Sequence, residues 1–168
     1  MKLIIDVSYQ NNQAKVVGGF FENWLDDSLV KQSSRIVENV EDYVSGEFYK
    51  RELPCILEFL SDVNLKEIEL IIIDGFIYLD DERKNGLGAY LYNSLDKEIP
   101  IIGVSKSRFY NNNKYVKEIF RGKSKNALYI SAIGIELLEA SLLIEKMLGE
   151  YRLPKLIKQV DTETKTNG

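Results

Sequence analysis

Histidine is absent from all 168 residues, which removes the commonest general base and the commonest metal ligand from any chemistry the chain can run. Cysteine occurs once, at Cys55. A single thiol excludes a disulfide framework within the chain and thiolate-rich zinc sites. Its apolar setting, Pro54-Cys55-Ile56-Leu57, reads as a buried structural thiol rather than a nucleophile. No apolar run approaches the ~20 residues needed to cross a bilayer. Asp6 follows Met1-Lys2-Leu3-Ile4-Ile5 too soon for the apolar segment of a signal peptide. The expectation is a cytoplasmic protein without membrane contact. Any metal must be held mainly by oxygen, which favours Mg²⁺, with Mn²⁺ as a substitute, over zinc or copper.

What is present is ordinary globular material. The length of 168 residues suits one domain with one sizeable core, and 45% apolar with 29% charged residues fits that class. The net charge of −4 argues against a surface that attracts nucleic acid everywhere, but one segment departs from it. Lys106, Arg108, Lys114, Lys117, Arg121, Lys123 and Lys125 fall between Val104 and Asn126, with Glu118 the only acid and Phe109, Tyr110, Tyr115 and Phe120 interleaved. That mixture suits phosphates and stacked bases; its bland reading is a solvated loop with an amphipathic strand or helix. The expected state is a monomer.

Hydrophobic periodicity predicts a strand over Lys2 to Tyr9, a polar turn at Gln10-Asn11-Asn12-Gln13 longer than the tightest hairpin types, and a returning strand over Ala14 to Phe21. A third strand is expected from Ser33 to Val40 and a helix from Glu47 to Val63, with Pro54 near its start or at a kink. Glu69-Leu70-Ile71-Ile72-Ile73-Asp74 reads as a buried central strand ending in a carboxylate. A helix near Leu87 to Leu95, strands at Pro100 to Val104 and Ala127 to Ser131, and a helix from Ile135 to Leu148 follow. One domain is expected over residues 1–154, with residues 155–168 a polar, mobile tail.

Three carboxylates stand out by position. Asp6 projects from a strand on the face of Ile4, Asp74 ends the most apolar strand, where α/β sheets bind ligands, and Glu52 lies in a helix. An unpaired charge on a core strand is costly. A shared divalent cation would relieve that cost for Asp6 and Asp74 while orienting a phosphodiester and activating water. Taken singly, Asp74 also reads as a turn or cap residue and Glu52 as a solvated helix residue.

The motifs carry a resemblance. Ile5-Asp6-Val7-Ser8-Tyr9, Tyr43-Val44-Ser45-Gly46 with Arg51-Glu52-Leu53-Pro54, Ile73-Asp74-Gly75, Gly86-Leu87-Gly88-Ala89, Pro100-Ile101-Ile102-Gly103-Val104-Ser105-Lys106 and Tyr151-Arg152-Leu153-Pro154 occur in one order along the chain. Together they resemble the endonuclease V family. The resemblance implies an α/β fold with a ribonuclease H-like mixed sheet flanked by helices, and hydrolysis of a DNA or RNA phosphodiester near a deaminated base such as inosine. It implies Asp6 and Asp74 as Mg²⁺ ligands with Glu52 completing the acidic cluster, and Lys106 at a phosphate. Tyr43 would hold open the gap left by a flipped base; Gly46 and Gly75 would offer backbone amides, and Arg108 would join the nucleic-acid contacts.

Three departures from that pattern bear on function. The region corresponding to the family's Ser-x-Gly-His segment is Ile130-Ser131-Ala132-Ile133-Gly134-Ile135-Glu136, without a histidine; Glu136 is the nearest ligand-capable side chain, with a solvated helix face as its alternative reading. Asp80-Asp81-Glu82 replaces a basic family loop, and Ser45 replaces a wedge proline. Three functional readings therefore stand: an active endonuclease whose site has diverged, a catalytically silent relative that binds nucleic acid or a protein, and a nuclease acting on a different nucleic-acid structure.

Overall fold

The computed structural model of the chain describes residues 1–38, 40, 48–108 and 111–166, Phe48 by its backbone alone. Strands β1 (Lys2–Gln10), β2 (Gln13–Phe21) and β3 (Lys31–Val37) form an antiparallel meander. Helix α1 (Phe48–Leu60), strand β4 (Leu70–Asp74), helix α2 (Leu87–Ser94) and strand β5 (Ile101–Ser105) follow. Strands β6 (Lys117–Ile119) and β7 (Leu128–Ile133) and helices α3 (Leu137–Lys146) and α4 (Lys155–Thr164) complete the chain. The seven strands form one sheet in the order β3-β2-β1-β4-β5-β7-β6. Its centre, β1-β4-β5, is parallel, and β7 runs antiparallel to β5.

Alternation along the central strands sorts the core into two layers. Leu3, Ile5, Ile71, Ile73 and Ile101 face α1 and α2, where they meet residues such as Phe59 and Leu91. Ile4, Ile72, Ile102 and Val104 face α3 and α4, where they meet Ile144, Leu156 and Val160. The same parity assigns Asp6 and Asp74 to the α3/α4 side, Asp74 at the carboxyl end of β4 and Asp6 in the middle of β1, just past the last residue paired with β4.

Three local features differ from the sequence reading. Gln10 pairs with Gln13, so the first hairpin turns on Asn11 and Asn12 alone, both at positive φ. Asparagine tolerates that region, and the turn is of the tightest kind. Pro54 stands inside α1 with its ring exposed. The largest correction concerns the expected tail, of which Lys155–Thr164 are helical. That stretch is the helix α4, because Leu156, Ile157, Val160 and Thr164 form a buried stripe against β1 and β2 while the intervening residues face water. The domain therefore continues past Pro154 to include α4.

The turn after β4 is fixed by a close backbone approach. Gly75 takes φ +143°, its N–H donates to the Val104 carbonyl at 3.0 Å, and Ser131 Oγ accepts from the Ile77 N–H at 3.2 Å. A Cβ on Gly103 would come within 2.4 Å of the Gly75 carbonyl oxygen and 2.6 Å of Ser131 Oγ. Gly103→Ala is therefore expected to lower the unfolding free energy by about 1–3 kcal/mol, read as a fall in urea midpoint with unchanged slope. A wild-type midpoint would show that the turn yields freely.

Candidate active site

Registry brings the acids together. Ile5 is level with Ile73 across the parallel β1–β4 pair, so Asp6 and Asp74 occupy the next step on adjacent strands about 4.8 Å apart, on one face. Helix α4 lies across β1 and β2 and adds Asp161. Asp6, Asp74, Asp161 and Lys106 line a small cleft with about 30 Å³ of free space over an apolar floor that includes Ile72 and Ile157. That is room for one or two waters. In the sequence Asp161 falls within the expected polar tail. The signal that could have found it is the spacing of Leu156, Ile157 and Val160, an apolar stripe that places Asp161 at its edge.

The far end of α4 is tied down by the first hairpin. Lys15 Nζ donates to the carbonyls of Glu163 at 2.9 Å and Thr166 at 3.1 Å, and Ser8 Oγ donates to the Thr164 carbonyl at 2.5 Å. A cation on the last carbonyls of a helix suits their dipole. These bonds set the height at which Asp161 meets Asp6.

The clustered acids resist ionisation. Burial, then the charge of Asp74, pushes the Asp6 carboxyl up from 3.8 to about 7, although its Oδ1 accepts the Val7 N–H at 2.9 Å. Desolvation, then Asp161, raises Asp74, which remains open to solvent at its tip; Lys106 and Lys165 act in the opposite sense. Burial also pushes Asp161 upward, but it is held below its ordinary value by the Lys165 ammonium, by a hydrogen bond from Asp6 and by Lys106. Asp6 and Asp161 thus favour one proton between them. Glu52, only 5% exposed, reaches the same edge from α1 on the other side of the sheet. Burial, then Asp74 and Asp6, raises it well above the usual carboxylate range against the pull of Arg51.

The remaining expected site residues divide. Lys106 lines the cleft, and its backbone carbonyl accepts from Arg152 at 3.2 Å. Arg108 is exposed close by, 3.8 Å from Glu118 and hydrogen-bonded to Asn113. Gly75 forms the turn, but its amide is taken by Val104, so it cannot offer that amide to a bound strand while the sheet is intact. Glu136 is misplaced as a fourth acid. It precedes α3 beyond Ile133, which is level with Ile101 at the amino end of β5, and it borders a groove with Lys2 and Pro100 at the opposite end of the sheet. Tyr43 and Gly46 lie outside the described residues.

The flanking loops also change meaning. Arg121 is buried, its guanidinium donating to the carbonyls of Tyr151 at 2.7 Å, Arg152 at 3.1 Å and Met147, so it holds the turn before α4 rather than a phosphate. The acidic loop is used internally. Asp80 Oδ1 accepts the N–H groups of Glu82 and Lys84, while Asp81 Oδ1 accepts those of Asn113 at 2.6 Å and Lys114 at 2.8 Å.

Between the ordinary carboxyl value and about pH 7, the folded protein holds an Asp6 proton that the unfolded chain has released. Its stability therefore falls as pH rises through that window. Asp6→Asn removes this dependence and keeps an oxygen for the Val7 N–H. In chelator at pH 8 the variant is expected to melt about 3–6 °C above wild type, with the gap closing toward pH 4. Parallel melting curves across pH would contradict the raised Asp6 carboxyl.

Residues 3–123 match the family model for Endonuclease V. Endonuclease V of Ciona intestinalis, solved with a 24mer DNA containing an inosine followed by a ribo-adenosine, is 17% identical with a TM-score of 0.78, covering 97% of this chain and 84% of that one. Endonuclease V of Streptomyces avermitilis is 19% identical with a TM-score of 0.73, covering 97% and 78%. Human endonuclease V is 20% identical with a TM-score of 0.69, covering 98% and 83%. At such identities the likeness establishes the ribonuclease H-like fold. No curated protein matches the chain in sequence. The family match, spanning well over half of the chain, carries the assignment: this protein belongs to the endonuclease V family.

Proposed function

We propose that the chain hydrolyses nucleic-acid phosphodiesters in a divalent-metal-dependent reaction at the cleft formed by Asp6, Asp74 and Asp161. The observation that carries this reading is the convergence of three elements, β1, β4 and α4, on one small cleft of mutually repelling carboxylates beside Lys106. A fold has no structural need for such a cluster, and perturbed groups in a cleft mark functional sites more often than chance.

The donor chemistry suits a hard cation. Glu52 Oε2 is buried without a hydrogen-bond donor, Asp161 Oδ2 accepts no hydrogen bond although the Lys158 ammonium stands 3.5 Å from it, and every candidate ligand is an oxygen. Among the described residues, no three Asp, Glu or Cys side chains are gathered closely enough to hold a metal ion between them. This fits an ion held by one or two carboxylates and completed by waters and phosphate oxygens. Asp6 and Asp74 would hold Mg²⁺ or Mn²⁺, with Asp161 beside them and Glu52 behind. Such an ion, when bound, supplies polarisation of a phosphoryl oxygen and acidification of water.

The chain's own groups do the rest. Lys106, exposed at the cleft mouth, meets the negative charge of a phosphate. Glu52, shielded from solvent and favouring its protonated form, would exchange a proton with the cleft in a protein that lacks histidine. The substrate class is nucleic acid; inosine-containing strands are the first to test, because the Ciona relative was solved with one.

The experiment is cleavage of labelled inosine-containing and unmodified strands, as DNA and as RNA, with Mg²⁺ or Mn²⁺. Asp6→Asn, Asp74→Asn and Asp161→Asn are each expected to reduce cutting by more than about 100-fold while remaining folded. Chelator should abolish cutting by the wild type. Folded wild-type protein that cuts no strand with either metal would overturn the reading and leave a binding role for a silent site.

A further inference from the structure

We propose that Lys165 is a built-in counter-ion of the acidic cleft that competes with a divalent cation for it. This rests on the metal-dependent reading of the site above.

Lys165 is the first residue beyond α4, and its Nζ stands 3.1 Å from Asp161 Oδ1. One helical turn separates the two, a spacing that lets the ammonium fold back over the carboxylate. Its charge also reaches Asp6 and Asp74, whereas Lys158, 3.5 Å from Asp161 Oδ2, pairs with Asp161 from within α4. Lys106 approaches the same acids from β5, but from the cleft mouth. The Lys165 side chain remains 64% exposed. Only its tip is engaged, so it can swing into water without disturbing the core. Meanwhile α4 is held by Lys15 and Ser8 and keeps Asp161 in place.

An ammonium 3.1 Å from Asp161 Oδ1 and a divalent ion in the same cleft repel each other. Lys165 therefore stabilises the metal-free protein and competes with the ion. Competition of this kind keeps a carboxylate cluster intact when no ion is present. It also frees a cation beside the cleft once the ion has entered.

The test is calorimetric titration with Mn²⁺ alone, at low salt, of the wild type, Lys165→Met, Lys165→Arg and the remote charge control Lys66→Met. Lys165→Met should bind Mn²⁺ about two- to fivefold more tightly than wild type, the range an exposed ion pair allows, and the gain should shrink as salt is raised. Lys165→Arg and Lys66→Met should bind as wild type does. In chelator, Lys165→Met should melt below wild type. Lys165→Gln serves in its place if the methionine variant aggregates.

Equal or weaker Mn²⁺ binding by Lys165→Met, with wild type binding normally, would overturn the counter-ion role and leave the metal site standing. An equal gain in Lys66→Met would assign the effect to net charge and overturn it as well. Absence of Mn²⁺ binding in every folded variant would overturn this inference together with the metal-dependent reading.

Discussion

Carboxylates brought together at the edge of a protein core repel one another and resist losing their protons. Asp6, Asp74 and Asp161 are held in that arrangement by elements far apart in sequence. The central parallel strands supply two of the acids at one height, and a helix clamped at its carboxyl end supplies the third. Each acid raises the cost of ionising its neighbours, so the rest of the fold must be stable enough to hold them close. The Ile-rich centre of the sheet, packed on both faces, provides that stability.

The supporting contacts are concentrated around the approach to α4. Arg121 is buried beneath the turn at Met147 to Arg152 and satisfies carbonyls that would otherwise be left without donors. Arg152 in turn joins the carbonyls of Lys106 and Ala127, tying the end of β5 to the segment that leads into α4. Arg121, counted by the sequence among the basic residues suited to phosphates, and Arg152, from the C-terminal motif, thus build the frame on which Lys106 and Asp161 are presented. Leu153, between them and the helix, lines the cleft itself.

The same economy governs the acidic loop. Asp80 closes its own turn, and Asp81 clamps the backbone at Asn113 and Lys114. Those bonds hold the Asp81 carboxyl below its ordinary range. Tyr115 packs edge-on against Tyr78, with the Arg83 guanidinium over its ring. Acidic and basic loops are therefore one structural unit, and the three successive acids do not form an isolated negative surface facing an incoming backbone.

Much of this was legible in one dimension. Alternation in Lys2 to Tyr9 and the continuous apolar run before Asp74 determine the strands, their faces and the direction in which Asp6 and Asp74 project, because side-chain period is a local property. The motifs from Asp6 to Pro154 point to the family that residues 3–123 confirm. Tertiary structure alone decided the rest. Asp161 joins the cleft because a thin apolar stripe, hidden in a polar segment, finds a sheet face to cover. Glu136 is excluded because the antiparallel β7 returns the chain to the wrong end of the sheet. Whether Arg121 faces solvent or a row of carbonyls, and whether Gly75 has an amide to spare, depends on partners from distant segments. Pattern along the chain specifies which way a side chain points; only packing specifies what it meets there.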